Sequence, residues 1–388
     1  MRAFLLGSAA VLLPSAAAAA DLPVAEPVEY VRICDVFGAG FFYVPGTDSC
    51  LKLGGRVRAE MHWVDGDPDV LIGGGPNSEF NNFSTRVRGN ARWDSQTSTA
   101  IGLVRAYIDL EITRGPVDYT EPGVEPYPTE FDLLYGFIEI KTDHGIWTMG
   151  TQDSFFDFYS SDDFGTRIDI DDNTDEFNLF AYSFVAPGGW KATLSAEDPD
   201  TSGRRLDGAD DYEGLQAPDL VGALRVEQAW GKAQVMGVVG QIHDVNGDGL
   251  GWAAAAGFSI NLPREATFGT QFGYADGRLG YITTDPGGIG DFAGPDGEDT
   301  NQAWMGRGGF YVPLTATIAG WLDGSFTHAE DNTNGDEYDY WAVVAGASWT
   351  PAEGLLMGPE FGYNNIDGDD AGEDGELWGL MWRFEREF

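Results

Sequence analysis

Residues Leu377 to Phe388 read LWGLMWRFEREF, and this stretch decides the fold. Side chains alternate between the two faces of a strand, so one face is almost wholly apolar. That face carries Trp378, Leu380, Trp382, Phe384, Phe388 and one polar residue, Arg386, and the other carries Arg383, Glu385 and Glu387. A strand of this kind that ends on an aromatic residue is typical of the closing strand of a β-barrel in a membrane. It would also suit the edge of a soluble β-sandwich. Within a barrel, we expect Trp382, Phe384 and Phe388 to form the C-terminal assembly signal.

The first twenty residues predict a cleaved secretory signal peptide. Arg2 supplies the positive start, residues 3–13 form a short apolar segment, and three alanines at 18–20 form the cleavage site. The apolar segment is too short to span a bilayer, and no run of 18 apolar residues follows it. Any membrane insertion must then be as a barrel. We divide the chain into a signal peptide (1–20), an N-terminal segment (21–50) and a transmembrane β-barrel domain (51–388).

The composition is acidic, aromatic and rich in glycine. Without Arg2, 21 basic residues stand against 63 acidic ones, a net charge of −42. This balance argues against nucleic-acid binding, which needs a basic surface. The 13% aromatic content and 54 glycines argue against a disordered acidic chain, which is poor in aromatic residues. An exported chain of this composition favours a β-barrel.

The sequence has two cysteines, Cys34 and Cys50. In an exported protein they are expected to form a disulfide with each other in the N-terminal segment. On the chain-entropy model, closing a loop of roughly 15 residues stabilises the fold by about 3 kcal/mol.

Turn-forming residues occur at alternating short and long intervals. Seven short connections are predicted at 94–98, 143–145, 187–189, 231–232, 263–264, 313–314 and 351–354. Eight long ones are predicted at 65–79, 115–129, 152–177, 199–217, 243–249, 276–300, 329–337 and 366–375. Fifteen connections predict about 16 strands. That even number, with short turns at one end and long loops at the other, is typical of an all-β, antiparallel outer-membrane barrel.

Alternation also predicts which side chains face the lumen. In the first strands Val57, Ala59 and Met61 would face lipid, because an arginine at the bilayer midplane costs roughly 2–4 kcal/mol. The predicted basic wall of a pore constriction is Lys52, Arg56, Arg58, Arg86, Arg88 and Arg105. The alternative is that these arginines form structural ion pairs with Glu60, Asp109 and Glu111.

The predicted third loop, residues 152–177, differs from the others because it mixes aromatic and acidic residues. The aromatic residues could hold the loop against the inside of the barrel wall. Its carboxylates would then face the arginines and narrow the lumen. The acids assigned to the constriction are Asp153, Asp157, Asp162, Asp163, Asp169, Asp171 and Asp172.

Two motifs resemble those of a known family. The N-terminal stretch reads VEYVRICD at 28–35 and GAGFFYVPGT at 38–47, followed by Cys50 and Leu51, and the chain ends RFEREF at 383–388. Both closely resemble the alphaproteobacterial porins. The resemblance implies a homotrimeric, 16-stranded general-diffusion porin whose third loop folds into the pore. The middle of the chain shows no family motif, so the lumen assignments there depend on alternation alone.

These expectations define a passive channel of the bacterial outer membrane. We expect contact with outer-membrane lipid and lipopolysaccharide, and assembly by the barrel-assembly machinery. No catalytic residue, cofactor or metal site is assigned, since the four histidines are scattered and nucleotide-binding and nucleophile motifs are missing from the sequence. Weak Ca²⁺ binding by acidic outer loops such as 367–374 is a further expectation. The surplus of carboxylates predicts cation preference. The alternatives are a substrate-specific channel for a sugar or an anion, and an exported non-channel β surface protein.

Overall fold

The computed structural model describes residues 32–66, 82–115, 128–159, 163–165, 168–171, 176–206, 214–244, 247–284, 288–293, 299–332, 335–368 and 374–388. The signal peptide assigned to 1–20 lies outside these ranges. Within them, no helix has the length and apolar character needed to cross a bilayer.

The described chain folds almost entirely into long antiparallel strands, because its segments alternate apolar and polar residues with period two. The first eight are β1 Cys50–Gly66, β2 Phe83–Thr99, β3 Gly102–Arg114, β4 Thr129–Thr142, β5 Gly145–Asp153, β6 Glu176–Ala186, β7 Trp190–Asp198 and β8 Asp219–Gln228. The others are β9 Gly231–Asp244, β10 Gly247–Asn261, β11 Thr267–Asp276, β12 Gln302–Pro313, β13 Ile318–Glu330, β14 Glu337–Ala352, β15 Leu355–Gly368 and β16 Gly375–Glu387.

These sixteen strands form one closed barrel, as the sequence predicts. Each strand pairs antiparallel with the next, and β16 pairs with β1 in a register that sets Glu387 opposite Arg56. The final residue continues this ladder, because the amide of Phe388 donates to the carbonyl of Gly55 and the amide of Gly55 donates to the carbonyl of Phe388, both at 3.0 Å. Closure removes the unpaired edges that an open sheet would expose.

The two faces of the wall differ as alternation predicts. On β1, Val57, Met61 and Trp63 are exposed on the outside, whereas Arg58, Glu60 and His62 are buried on the inner face. On β16, the three residues of the predicted assembly signal lie on the outer face and are exposed: Trp382, Phe384 and Phe388. The outer surface is therefore apolar, which is the arrangement needed in a bilayer. The inner surface is polar on β1 and β2 but also carries buried apolar residues, such as Met236, Val238 and Met305, which cluster with rings of the loop after β5.

Two predicted connections are wrong. Residues 94–98 belong to β2, and the turn falls at 100–101. The polar run there suggested a turn, but its residues continue the ladder with β3 as far as the pair of Thr99 and Gly102. Asp94 also binds Arg105, its diagonal neighbour, at 3.0 Å. The connection predicted as long at 243–249 is also short, since β9 continues to Asp244 and β10 begins at Gly247. The other long loops lie close to their predicted positions.

The N-terminal segment is fastened to the start of β1. Cys34 and Cys50 form a disulfide, as predicted, with their Cα atoms 6.1 Å apart. Both cysteines are buried and pack with Phe41. Phe42 and Tyr43 pair with Leu51 and Cys50, so this segment adds a short strand beside β1.

Candidate functional site

Four of the predicted basic-wall residues come together on the inner face of β1 and β2. The strand register sets Arg58 opposite Arg88, and Glu60 opposite Arg86, with Arg56 one step further along. We call Arg56, Arg58, Arg86 and Arg88 the arginine row. Its members share a face because residues two apart in a strand point the same way.

The other two predicted basic residues lie nearer the end of the barrel that carries the short turns. Arg105 of β3 binds Asp94 at 3.0 Å and Glu139 at 3.3 Å. Lys52 is opposite Asp94 in the register of β1 and β2. Lys52 and Arg105 are therefore separate from the arginine row.

Glu60 is the carboxylate around which the arginine row is assembled. Its side chain is fully buried, and it accepts hydrogen bonds from Nε of Arg86 at 2.6 Å and Nε of Arg383 at 2.7 Å. Arg58 lies 3.9 Å away. A buried carboxylate is stable only when paired and hydrogen-bonded. Sequence reasoning placed Arg383 on the inner face of the last strand but did not join it to this group, because that contact depends on barrel closure.

Further carboxylates partly neutralise the rest of the row. Glu111 of β3 lies 3.7 Å from Arg56 and 3.5 Å from Arg88. Glu385 of β16 binds Arg58 at 2.8 Å. Ion pairs with Glu60 and Glu111, considered as the alternative to a pore role, are therefore present in the structure, and they hold the guanidinium groups against the wall. Asp109, the third acid of that alternative, binds Arg92 at 2.8 Å instead.

The described part of the third loop, within residues 154–175, contacts the inner face of the wall through both polar and apolar side chains. Near its start, Glu197 of β7 accepts hydrogen bonds from the Ser154 hydroxyl at 2.6 Å and the Phe155 amide at 3.1 Å. Further on, the Tyr159 amide donates to Gln271 of β11 at 3.0 Å, and its hydroxyl donates to Asp323 of β13. The loop thus follows the wall over several strands.

Two glycines of the wall let loop rings approach the backbone. A Cβ at Gly257 would lie 2.4 Å from a ring carbon of Phe158, and one at Gly269 would lie 2.7 Å from a ring carbon of Tyr159. Both distances are far below van der Waals contact. Any larger residue at these positions would push the loop off the wall.

The third loop has its tip at Phe164 and Gly165. These two residues contact the arginine row on one side and the inner face of β13 and β15 on the other. The Phe164 amide donates to Glu360 of β15 at 2.6 Å, and its ring packs on Trp321 with centroids 4.6 Å apart. Arg383 donates to the Phe164 carbonyl, and Arg86 donates to the Gly165 carbonyl at 3.3 Å. Main-chain carbonyl oxygens of the loop therefore accept hydrogen bonds from these arginines, and the guanidinium carbon of Arg383 also lies 4.5 Å from the centroid of the Phe164 ring.

The described third-loop acids have other contacts. Asp153 accepts from the Tyr135 hydroxyl at 2.8 Å, and Asp157 binds Arg204 at 2.7 Å. Asp171 accepts from the Thr284 amide at 2.8 Å and from the Thr327 hydroxyl. Asp163 and Asp169 accept from nearby loop amides, of Gly165 and Ile170 respectively. Asp162 and Asp172 lie outside the described residues.

Two other long loops pack on the third loop through a buried group that sequence reasoning missed. Arg204, from the loop after β7, lies between the rings of Phe177 and Tyr281, about 5 Å from each centroid. Arg278, from the loop after β11, binds Asp219 at 2.9 Å and Asp291 at 3.5 Å, with all three side chains fully buried. Burial raises the pKa of the Tyr281 phenol well above its ordinary value. The one feature of the sequence that could have indicated this buried group is the presence of a few arginines within strongly acidic loops.

Within the described residues, no group of three or more metal-ligand side chains could hold a metal ion. Residues 369–373, the centre of the loop expected to bind Ca²⁺, lie outside that part of the chain.

A closed sixteen-stranded barrel with an apolar outer surface and charged residues on its inner face is the architecture of an outer-membrane β-barrel protein. The chain belongs to the porin family: a sequence model described as "Porin subfamily" matches residues 21–379. It is similar to porin Omp2b of Brucella suis, at 26% identity over 415 residues covering all of both chains. Porin Omp2b of Brucella abortus (strain 2308) is 27% identical over 400 residues, covering 100% of this chain and 99% of that protein.

Solved structures share the fold. The outer membrane channel DcaP of Acinetobacter baumannii superimposes with a TM-score of 0.70 at 14% identity, covering 88% of this chain and 99% of that one. The anion-selective porin of Comamonas acidovorans superimposes with a TM-score of 0.57 at 12% identity, covering 88% of this chain and 100% of that one. OmpT of Vibrio cholerae, in a trimer form, superimposes with a TM-score of 0.52 at 11% identity, covering 87% of this chain and 100% of that one. The protein is therefore an outer-membrane porin, and its family points to a channel rather than an enzyme.

Proposed function

We propose that this porin is a passive channel for small hydrophilic solutes and ions, and that its third loop folds inward to form the narrowest part. The observation that carries the proposal is the loop tip, whose carbonyl oxygens accept hydrogen bonds from Arg383 and Arg86 on the inner wall. A loop held in this way occupies part of the lumen. The remaining aperture is then bounded by the loop on one side and by wall side chains on the other.

The arginine row would supply positive charge to this aperture. Arg56 and Arg88 keep 21% and 27% of their side-chain surface exposed. The assigned loop acids would supply negative charge from the other side. Opposed charges in a narrow passage keep it hydrated and orient dipolar solutes, and the width of the passage sets the size limit.

Single-channel recording in a planar bilayer tests this role. We expect Arg56→Ser and Arg88→Ser to change ion selectivity measured as the reversal potential in a salt gradient, because each removes an exposed positive charge from the aperture. Arg105→Ser should have a smaller effect, since that residue lies nearer the short turns. Arg264→Asn is the control: it removes one charge from an exposed turn, at a φ of 64° that Asn tolerates.

If Arg56→Ser and Arg88→Ser leave both conductance and reversal potential as in Arg264→Asn, the arginine row does not border the aperture. The reversal potential of the unmodified protein also tests the ion preference. With a net charge of −41 over the whole chain, we propose a preference for cations that weakens as salt screens the field.

The porin is further proposed to be a homotrimer, and the trimer form of the similar OmpT barrel supports this proposal. Its partners would be lipid, lipopolysaccharide and the barrel-assembly machinery, and residues 1–20 would be removed on export. The mass of the unheated, detergent-solubilised protein tests the trimer, and N-terminal sequencing tests the cleavage. Weak Ca²⁺ binding by the loop around Asp367 and Asp374 predicts that added calcium raises the unfolding temperature.

A further inference from the structure

The loop after β11 also folds into the barrel. A Cβ at Gly273 of β11 would lie 2.8 Å from Cγ2 of Ile282 and 3.6 Å from the Cβ of Ala255, near the middle of β10. Gly273 and Ala255 are on the inner face of the wall, since the neighbouring Phe272 and Ala254 are exposed on the outside. We call residues 277–284 the second inward loop.

The second inward loop is fixed by buried side chains. Leu279, Tyr281 and Ile282 are at most 1% exposed. The Tyr281 hydroxyl donates to Asp219 of β8 at 3.0 Å, and its ring packs on Phe156 of the third loop with centroids 5.2 Å apart. The second inward loop is therefore attached both to the wall and to the third loop.

The wall beneath these two loops is apolar and dry. The inner faces of β9 to β12 carry six small or apolar side chains, each at most 7% exposed, which we call the covered wall: Met236, Val238, Ala253, Ala255, Ala275 and Met305. They belong to one buried cluster with Phe156, Tyr281 and Ile282. Apolar surface is stabilised by removal from water, so this wall holds the loops against it. Apolar packing of this kind offers no polar partners to a file of water molecules.

The wall on the other side of the lumen keeps exposed inner side chains. β3 and β4 are half-way round the sixteen-stranded barrel from β11 and β12, so the two walls face each other. Arg92 of β2 and Arg105 of β3 keep 27% and 23% of their side-chain surface exposed. Tyr107 of β3 and Arg92 line an open cavity of about 630 Å³. Water therefore has access to this side of the lumen.

The path of the third loop agrees with this division. Its described residues hydrogen-bond in turn to β7, β11, β13, β15 and β2. The loop thus follows the covered side of the barrel, and its tip reaches the exposed side only at β2.

We propose that the third loop and the second inward loop together close the lumen along β9 to β12, so that solutes pass only along β1 to β4. The proposal rests on the proposed channel and deepens it. The side chains that meet the solute are then those of β1 to β4. Tyr281 and Ile282 are positioning residues, which limit the width of the passage without facing it.

Thiol labelling tests which wall is wet. The two cysteines of the sequence are joined in the disulfide, so an added cysteine is the one free thiol. We expect Arg92→Cys and Tyr107→Cys in the folded protein to react with a charged methanethiosulfonate, which reaches only thiols in contact with water. Val238→Cys and Ala255→Cys should react on the order of a hundredfold more slowly, because the packed loops must first open locally. Mass spectrometry measures the extent, and all four should react fully after heat denaturation.

A cross-link tests the position of the second inward loop. A Cβ at Gly273 would lie 3.4 Å from the Cβ of Ile282, close to the mean of about 3.8 Å in disulfides. Gly273→Cys with Ile282→Cys should therefore form a disulfide on oxidation. The single-channel current of this variant should be the same oxidised and reduced, because the loop already lies at the wall. The unmodified protein in the same reductant controls for opening of the native disulfide.

Loosening the second inward loop should widen the passage. Tyr281→Ala removes the ring that packs on Phe156 and the hydrogen bond to Asp219, so we expect the single-channel conductance to rise. Combined with Val238→Cys, it should also speed the labelling of that thiol. Tyr274→Ala is the matched control, since Tyr274 is on the outer face of β11 and donates to Gln302 at 2.9 Å.

Three results would overturn the proposal. These are equal labelling of Val238→Cys and Tyr107→Cys, a current that falls when the cross-link between positions 273 and 282 forms, and equal conductance of Tyr281→Ala and Tyr274→Ala. Failure of that cross-link to form would also overturn it. A protein that carries no current refutes the proposed channel itself, whereas one that conducts but labels both walls alike refutes the covered wall alone.

Discussion

Single carboxylates decide how the arginines of this porin are held. Glu60 is fully buried and contacts Arg86 and Arg383 directly, with Arg58 nearby. Glu387, in contrast, binds Arg92 at 3.2 Å with 60% of its side chain exposed. Removing one partner of a buried ion pair leaves the other charge uncompensated, whereas water solvates the survivor of an exposed pair. The two positions should therefore respond differently to the same change.

Replacing Glu60 with Gln should destabilise the barrel strongly, on the order of 3–5 kcal/mol, because two buried guanidinium groups lose their counter-charge. Glu387→Gln is the matched control and should cost about 1 kcal/mol or less. Loss of the β-sheet circular dichroism signal on heating in detergent measures both. Equal unfolding temperatures for the two variants would contradict the central role given to Glu60.

The third loop is the element on which the proposed constriction depends. Its tip is held by Trp321, which packs on Phe164 and donates from Nε1 to Glu360 at 2.8 Å. Glu360 also accepts from the Phe164 amide. The indole and the carboxylate therefore act on the tip together, and weakening one should loosen the other.

Trp321→Phe should keep a ring against Phe164 but remove the hydrogen bond to Glu360, at a cost of about 1 kcal/mol. A less firmly held tip should make the open-channel current noisier and its closures more frequent in single-channel recordings. Trp304→Phe is a suitable control, since Trp304 is exposed on the outer surface of β12. A recording of Trp321→Phe as quiet as that control would show that the indole does not steady the loop.

Strands were more predictable than loops for a physical reason. Alternation is local, so the inner position of Arg58 and the outer position of Val57 follow from neighbouring residues alone. The partner of an inward-facing residue depends on strand register and barrel closure. The contact of Glu60 with Arg383 therefore could not be predicted from neighbouring residues. The packing of Arg204 against Tyr281 joins two distant loops, and no local pattern marks it. Polar runs such as 94–98 were mistaken for a turn because a lumen-facing strand is also polar.

The whole molecule depends on joining its first and last strands. Gly55 and Phe388 exchange main-chain hydrogen bonds, and a Cβ at Gly55 would lie 3.0 Å from the Phe388 ring. The main chain and the side chain of the terminal residue therefore both contribute to the join. Their shares can be separated by deleting the residue or by shortening its side chain.

Deleting Phe388 should reduce the amount of assembled barrel more than Phe388→Ala does, because deletion removes the main-chain bonds as well as the ring. Phe388→Tyr should assemble nearly normally. The fraction of outer-membrane protein that migrates as a compact band without heating measures assembly. Full assembly of the deletion variant would show that the final residue is dispensable for closure.

The disulfide between Cys34 and Cys50 lies at this same join, since Cys50 opens β1 and β1 receives β16. Its bond can form as soon as the early part of the chain has left the inner membrane, long before the last strand arrives. The disulfide then orders the start of β1 while the rest of the polypeptide is still being exported. With the disulfide formed, β1 would be an ordered partner for β16 when the last strand arrives.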